Sequence, residues 1–216
     1  MLWNFLVDRW GQIWFASWQH FSLVVQSLAL AVLIAMLIAF LVYRVPQLSS
    51  IANGVSAVGL TIPSFALIGL LITPLGFGVA PSVFVVTFFA VLPILRNAIV
   101  GLGTVDRSVV ESARGIGMSR LRVLFTIEFP IAWPIILTGV RISAQMVMGI
   151  AAVAAYALGP GLGGFIFSGL SRLGGANSLE SVVVGVVGVI VLALILDLLL
   201  LGLGRLTISR GIRVSH

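Results

Sequence analysis

Apolar residues in this chain run on continuously instead of alternating with polar ones. Between Arg9 and Arg44 only His20 interrupts an uncharged stretch, and no charge falls between Arg44 and Arg96. Arg141 to Arg172 is again uncharged, and Ser181 to Leu203 carries only Asp197. A helix crossing a bilayer needs ~20 mainly apolar residues, whereas strands of a membrane barrel alternate over ~10-residue segments. The pattern therefore predicts an all-α integral membrane fold, with spans over about 20–43, 51–73, 81–101, 130–157 and 181–204. Gly54, Gly59 and Pro63 interrupt the second element. A broken helix or a re-entrant hairpin stays open there, and with it a count of five or six spans.

The segments between the spans have characters of their own. Residues 1–19 place Trp3, Val7, Trp10, Trp14 and Trp18 at helical spacing beside Asp8 and Arg9. That pattern predicts an interfacial amphipathic helix with a tryptophan belt, followed by a membrane domain over 20–216. Residues 102–129 form the charged central loop. Within it, Ser108 and Glu111 have the spacing of a capping box, and Val109, Val110, Ala113 and Ile116 form an apolar stripe. Gly115 and Gly117 are helix terminators, Ser119 can cap a second short helix carrying Leu121, Leu124 and Phe125, and Pro130 introduces the next span. Residues 159–175 are too rich in glycine for a regular span and read as an irregular segment at the outer mouth. No strand or lysine accompanies those glycines, so they are no phosphate loop. His20 is expected at the outer end of the first span, snorkelling to the interface.

Composition changes the picture in three ways. The chain has 216 residues, 60% hydrophobic and only 8% charged, against about 25% charged in soluble domains. Lipid must be the main solvent. There is no cysteine, so disulfides, thiolate catalysis and Cys-based metal sites are excluded. All twelve basic residues are arginine, so a phosphate-binding Gly-Lys-Ser/Thr loop is excluded as well. If nucleotide drives this protein, another chain binds it. The net charge of +6 is better explained by loop placement than by nucleic acid. With five spans, Arg44, Arg96, Arg107, Arg114, Arg120, Arg122, Arg205, Arg210 and Arg213 share one side, against Arg9 and Arg172 on the other. The arginine-rich side is expected to be cytoplasmic, with the N-terminus outside and the C-terminus inside.

A helix–glycine–helix hairpin at the membrane face serves equally as a surface element or as a plug for another protein's groove. The stretch ESARGIGMSRLRVLFTIEFP, residues 111–130, resembles the EAA loop of ABC-transporter permeases, in which EAA is followed by a spaced Gly and a terminal Ile-x-Leu-Pro. Glu111, Ala113, Gly117, Ile127 and Pro130 stand at matching positions, while Ser112 replaces the second Ala and Phe129 replaces Leu. LTIPSFALIGLLITPLGFG, LPILRNAIVGL, GVRISAQ and GPGLGGFIF extend the likeness to permeases of osmoprotectant uptake systems, which carry glycine betaine, carnitine, choline or proline.

That resemblance implies the transmembrane subunit of a type I ABC importer in the bacterial plasma membrane. Its expected partners are a second permease subunit (identical or paralogous), two ATP-binding subunits and an external substrate-binding protein. ATP and Mg2+ would reside on the ATPase, with no cofactor, metal or catalytic residue in this chain. Some relatives carry a fused binding domain; with this chain ending at His216, a separate receptor is expected. Glu111, Ser112, Ala113, Gly115 and Gly117 would form the ATPase-coupling element, closed by Ile127 and Pro130. An importer of another small solute, such as methionine or an alkyl sulfonate, and a membrane scaffold or channel without ATPase remain the alternatives.

A quaternary ammonium has no N–H to donate and is held through aromatic faces. Phe65, Phe88, Phe89 and Tyr156 are the aromatic pathway candidates, and Gln145 is a polar one. Within spans, charge costs ~2.5–3.5 kcal/mol on insertion scales. Arg141 lies ~16 Å along its helix from Pro130 and Asp197 ~12 Å from Arg205, so the two are expected to form an intramembrane ion pair.

Overall fold

The computed structural model describes residues 2–208; Arg210 and Arg213 lie outside them. Helices α1 (Leu2–Asp8), α2 (Trp10–Val42), α3 (Pro46–Gly59), α4 (Ser64–Leu75), α5 (Val79–Gly103), α6 (Arg107–Gly115), α7 (Arg120–Val123), α8 (Phe129–Ala154), α9 (Gly163–Leu170) and α10 (Ser178–Thr207) follow in order. Among the described residues no strand occurs. Four runs are long and apolar enough to cross a membrane: α2, α5, Arg120–Ala157 and α10. The second predicted span is two helices, α3 and α4, meeting at 92°, the geometry of a broken span or a re-entrant loop. Counted together they make at most five spans among the described residues, not six.

Local chemistry accounts for the breaks. Val45 is extended and Pro46 opens the first turn of α3, where its missing N–H costs nothing. Pro63 holds an extended conformation before α4; it has no donor and excludes helical geometry from Ile62. The N-terminal region departs from expectation. The helix breaks at Arg9, not near residue 19, and Trp10, Trp14 and Trp18 belong to the same 33-residue helix as the first span. Nothing between Trp10 and Gln19 removes a backbone donor, so the hydrogen-bond ladder continues. At 1.5 Å per residue α2 is about 50 Å long, well beyond the ~30 Å hydrocarbon thickness. Its first turns therefore extend the exposed tryptophans past the core.

The centre is α5, packed on α8 and α2. Val85, Val86, Ala90, Ile94 and Ala98 of α5 are fully buried, as are Ile136, Val147 and Ala151 of α8 and Ala31, Ala35 and Ala39 of α2. Small side chains let these backbones approach, and van der Waals contact plus interhelical hydrogen bonds replace the hydrophobic effect inside a bilayer. One such bond runs from Ser143 Oγ to the Ala90 carbonyl at 2.8 Å. Helix α10 lies on the outside of the bundle, against α9 and α8.

Beyond α8 the chain makes a short 3-10 turn, Ala155–Ala157, and folds back on itself. The Gly78 N–H bonds the Ala157 carbonyl at 2.7 Å. His20 does not snorkel: it is fully buried, Nε2 3.2 Å from the Met148 carbonyl, with Gly161 packed on its ring. The returning chain seals over it. A Cβ on Gly163 would collide with the Ala152 carbonyl and the Ala155 methyl, whereas one on Gly164 would meet open space. Gly163→Ala should therefore cost about 1–3 kcal/mol through overpacking. Gly164→Ala should leave stability unchanged or raise it by up to ~1 kcal/mol. Thermal unfolding of the two purified variants in detergent checks the opposite signs.

Candidate functional site

The central hairpin starts at Asp106, whose Oδ1 accepts the Ser108 N–H at 2.8 Å. This aspartate, and not Ser108 with Glu111, is the N-cap of α6. Aspartate is a strong cap, and the same hydrogen bonds hold its carboxyl below the usual range. Glu111 and Ser112 project to solvent while Ala113 is buried against the body. The apolar stripe is thus divided: Ala113 faces inward, and Val109 and Ile116 face out, Ile116 being 81% exposed.

The end of α6 is a Schellman motif. The Met118 N–H reaches the Ala113 carbonyl at 3.1 Å and the Gly117 N–H reaches Arg114 at 2.9 Å. Gly117 sits at φ +89, in the left-handed position where glycine avoids the Cβ penalty. A Cβ there would touch nothing within 4 Å, so in this chain alone the demand is conformational. Gly115, by contrast, is an ordinary last helical residue.

Ser119 then caps α7, its Oγ 3.4 Å from the Arg122 N–H. The chain does not restart at Pro130 as expected. Residues Leu124–Glu128 form a π turn in which the Phe129 N–H bonds the Leu124 carbonyl, and α8 follows directly. Pro130 has no N–H and its ring would strike the carbonyl four residues earlier. Widening the ladder by one residue resolves both problems. The hairpin's second arm and the fourth span are consequently one helical rod, Arg120–Ala157. Ile127 is half-buried and Pro130 exposed on it, with Leu121 and Phe125 exposed nearby.

Glu128, at the end of the π turn, is only 4% exposed. It accepts hydrogen bonds from Tyr43 Oη at 2.8 Å and Arg44 Nη2 at 2.7 Å. These residues follow α2, so the clasp ties the first span to the base of the rod. Sequence reasoning missed it, having used Arg44 only as a mark of the arginine-rich side. The available signal was an acid within the apolar Ile127–Pro130 stretch. A cleft of about 380 Å³ beside it is lined by Arg44, Arg107, Glu111, Arg114 and Glu128.

On the seam between α8 and α10, partly exposed, Arg141 Nε lies 3.0 Å from Asp197 Oδ1, and Nη2 lies 3.1 Å from Oδ2. This fork satisfies both carboxylate oxygens. Gln145 donates to Asp197 Oδ1 at 3.1 Å, which accounts for it as a partner of the pair.

The aromatic candidates separate. Phe89 is in the core and packs edge-on to Phe88, which lines an apolar groove among α2, α3, α4 and α5. Phe65 and Tyr156 are brought together with ring centroids 4.6 Å apart, and Tyr156 also meets Phe167 at 5.7 Å. Phe167 was not anticipated, because only the fold returns α9 to the end of α8. Among the described residues no group of three acids or histidines could hold a metal.

Comparison with known proteins gives a consistent result. The model of binding-protein-dependent transport system inner membrane components matches residues 31–208. A carnitine transport permease of Listeria monocytogenes is 36% identical, covering 72% of this chain and 71% of its own. An osmoprotectant import permease of Salmonella typhimurium is 33% identical, covering 97% and 98%. A choline transport system permease of Bacillus subtilis is 32% identical over 91% and 89%. Among solved structures, an inward-facing MetNI methionine ABC transporter chain aligns with TM-score 0.70 at 19% identity, covering 94% and 99%.

Exchanging the charges of the intramembrane pair provides a direct test of its role. Arg141→Asp and Asp197→Arg should each abolish membrane expression, since removing one partner strands the other. The double exchange should restore a folded, monodisperse protein. Fluorescence-detected gel filtration of the three variants reads this out; a double variant as unstable as the singles would refute mutual dependence.

Proposed function

The chain belongs to the family of binding-protein-dependent transport system inner membrane components, and from that premise we propose that it is the permease subunit of an ATP-driven importer of compatible solutes. Carnitine, choline and related osmoprotectants are the cargoes named for its relatives. The methionine transporter's likeness, at 19% identity, carries the fold and no cargo.

The observation that carries the reading is the continuity of the hairpin with the fourth span. An ATPase gripping α6 and the exposed Ile116, Leu121 and Phe125 would pull on a rod that reaches through the bundle. The Schellman turn at Gly117 fixes the angle between the two arms of the grip. In this proposal the arginine-rich face is cytoplasmic, and the N-terminus lies outside. Two permease subunits form the pathway, two ATPase subunits hold all the ATP and Mg2+, and an external protein delivers the solute. The permease itself catalyses no reaction. The pair of Arg141 and Asp197 keeps α8 and α10 in register and does not bind cargo.

Two outcomes test this reading. Gly117→Asp places a side chain at φ +89, at a local cost of roughly 1–2 kcal/mol, and into the space an ATPase would occupy. The variant should still reach the membrane but lose copurification of the ATPase, whereas Gly115→Ala should retain it. Secondly, cells lacking this permease and redundant carriers should lose uptake of labelled glycine betaine, choline or carnitine after osmotic upshift. Undiminished uptake would refute the cargo assignment.

A further inference from the structure

We propose that Phe65, Tyr156 and Phe167 form a transient binding site for the trimethylammonium head of the solute, an inference that rests on the importer reading above. The relatives' cargoes carnitine and choline share a quaternary nitrogen. With no N–H to donate, such a cation cannot be bound by hydrogen bonds, and ring faces attract it instead.

Three separate elements supply the rings: the first turn of α4, the turn after α8, and α9. They are tilted at 50° and 59° to one another, not stacked flat, so each pair forms an open wedge. Phe65 is 49% and Tyr156 53% exposed, leaving ring face uncovered. The wedge stands beside the break between α3 and α4. Irregular backbone at membrane depth is tolerated only against protein or a water-filled cavity. In this proposal the wedge faces the pathway and not lipid.

The surrounding charge pattern suits passage. No acid or base occurs from residue 45 to 95 or from 142 to 171, so no carboxylate on these segments would trap the cation. A conducting site must be favourable enough to enter and weak enough to leave. Aromatic faces without a counter-ion meet that condition. Phe88 and Phe89 do not share it, since they cover each other within α5 and its apolar groove.

The test uses the complete complex, permease with its ATPase and binding protein, in proteoliposomes supplied with choline, glycine betaine or carnitine. Phe65→Leu, Tyr156→Leu and Phe167→Leu should each lower uptake about 3- to 30-fold, the range of a single cation–π contact. Tyr156→Phe should retain uptake, because it keeps the ring face. Stepwise fluorination of Phe65 or Phe167 drains electron density from the ring with little change of shape. Uptake should fall with each added fluorine, while ATPase stimulation by the binding protein stays constant. Uptake indifferent to fluorination would overturn the site even where leucine variants misfold, and would leave the importer reading intact. A wild-type complex that transports none of these cations would overturn the importer reading, and this inference with it.

Discussion

A backbone amide at membrane depth has no water to bond, and leaving it unpaired costs several kcal/mol. The whole molecule is organised around the few places where its helical ladder fails. At Pro63 the second span bends by 92°, and its two halves pack against α5 and, for α4, α8. At Pro130 the ladder widens into a π turn and continues. Past Ala157 the chain folds back, and the Gly78 N–H takes up the Ala157 carbonyl. Each failure is repaired by a different local device, and each repair lies beside a proposed functional element.

The repair at Pro130 has the largest mechanical consequence. A loop that ended at the proline would be a hinge between hairpin and membrane. A π turn instead passes the helix axis through, so the second arm of the hairpin cannot rotate independently of the span. Glu128 adds Tyr43 and Arg44 to the same point, so displacement of the hairpin is shared with the first span. In the proposed transport cycle, force applied outside the membrane then reaches two spans without a flexible intermediate.

Charge is sparse and used for registration. Glu128, near the start of the fourth span, and Arg141, about three and a half turns further on, are both paired, to the end of α2 and to α10 respectively. Helix α10 is loosely covered, so a bidentate pair with added Gln145 contact fixes its height and rotation against α8 more sharply than leucine packing would. Apolar contacts alone tolerate sliding; a forked ion pair has one preferred geometry. The segments that carry Phe65, Tyr156 and Phe167 are the complement of this arrangement, with no acid or base from residue 45 to 95 or from 142 to 171.

Much of this was legible in the residue order. Uncharged stretches long enough to span a bilayer mark the helices, because solvation in lipid depends only on local composition. The hairpin was legible for the same reason, since capping aspartate or serine and a left-handed glycine act within a few residues. The match of Arg141 to Asp197 could be anticipated from helix rise and the cost of isolated charge. Other features did not follow from the residue order, some because local options compete closely and some because they join residues far apart in the chain. The capping role passed from Ser108 to Asp106, α2 ran through residue 19, and Pro130 did not begin a new helix, because competing local options differ by about 1 kcal/mol or less. His20 was buried by a loop that begins 139 residues later at Gly159. Phe65, Tyr156 and Phe167 met because the break at Pro63 and the reversal after Ala157 turned their elements toward one another. Local periodicity and solvation determined which segments are helical and which are long and apolar enough to cross a bilayer. The partners of Glu128, His20 and the aromatic rings were decided only by the packed bundle, since such contacts follow from the directions in which broken helices return.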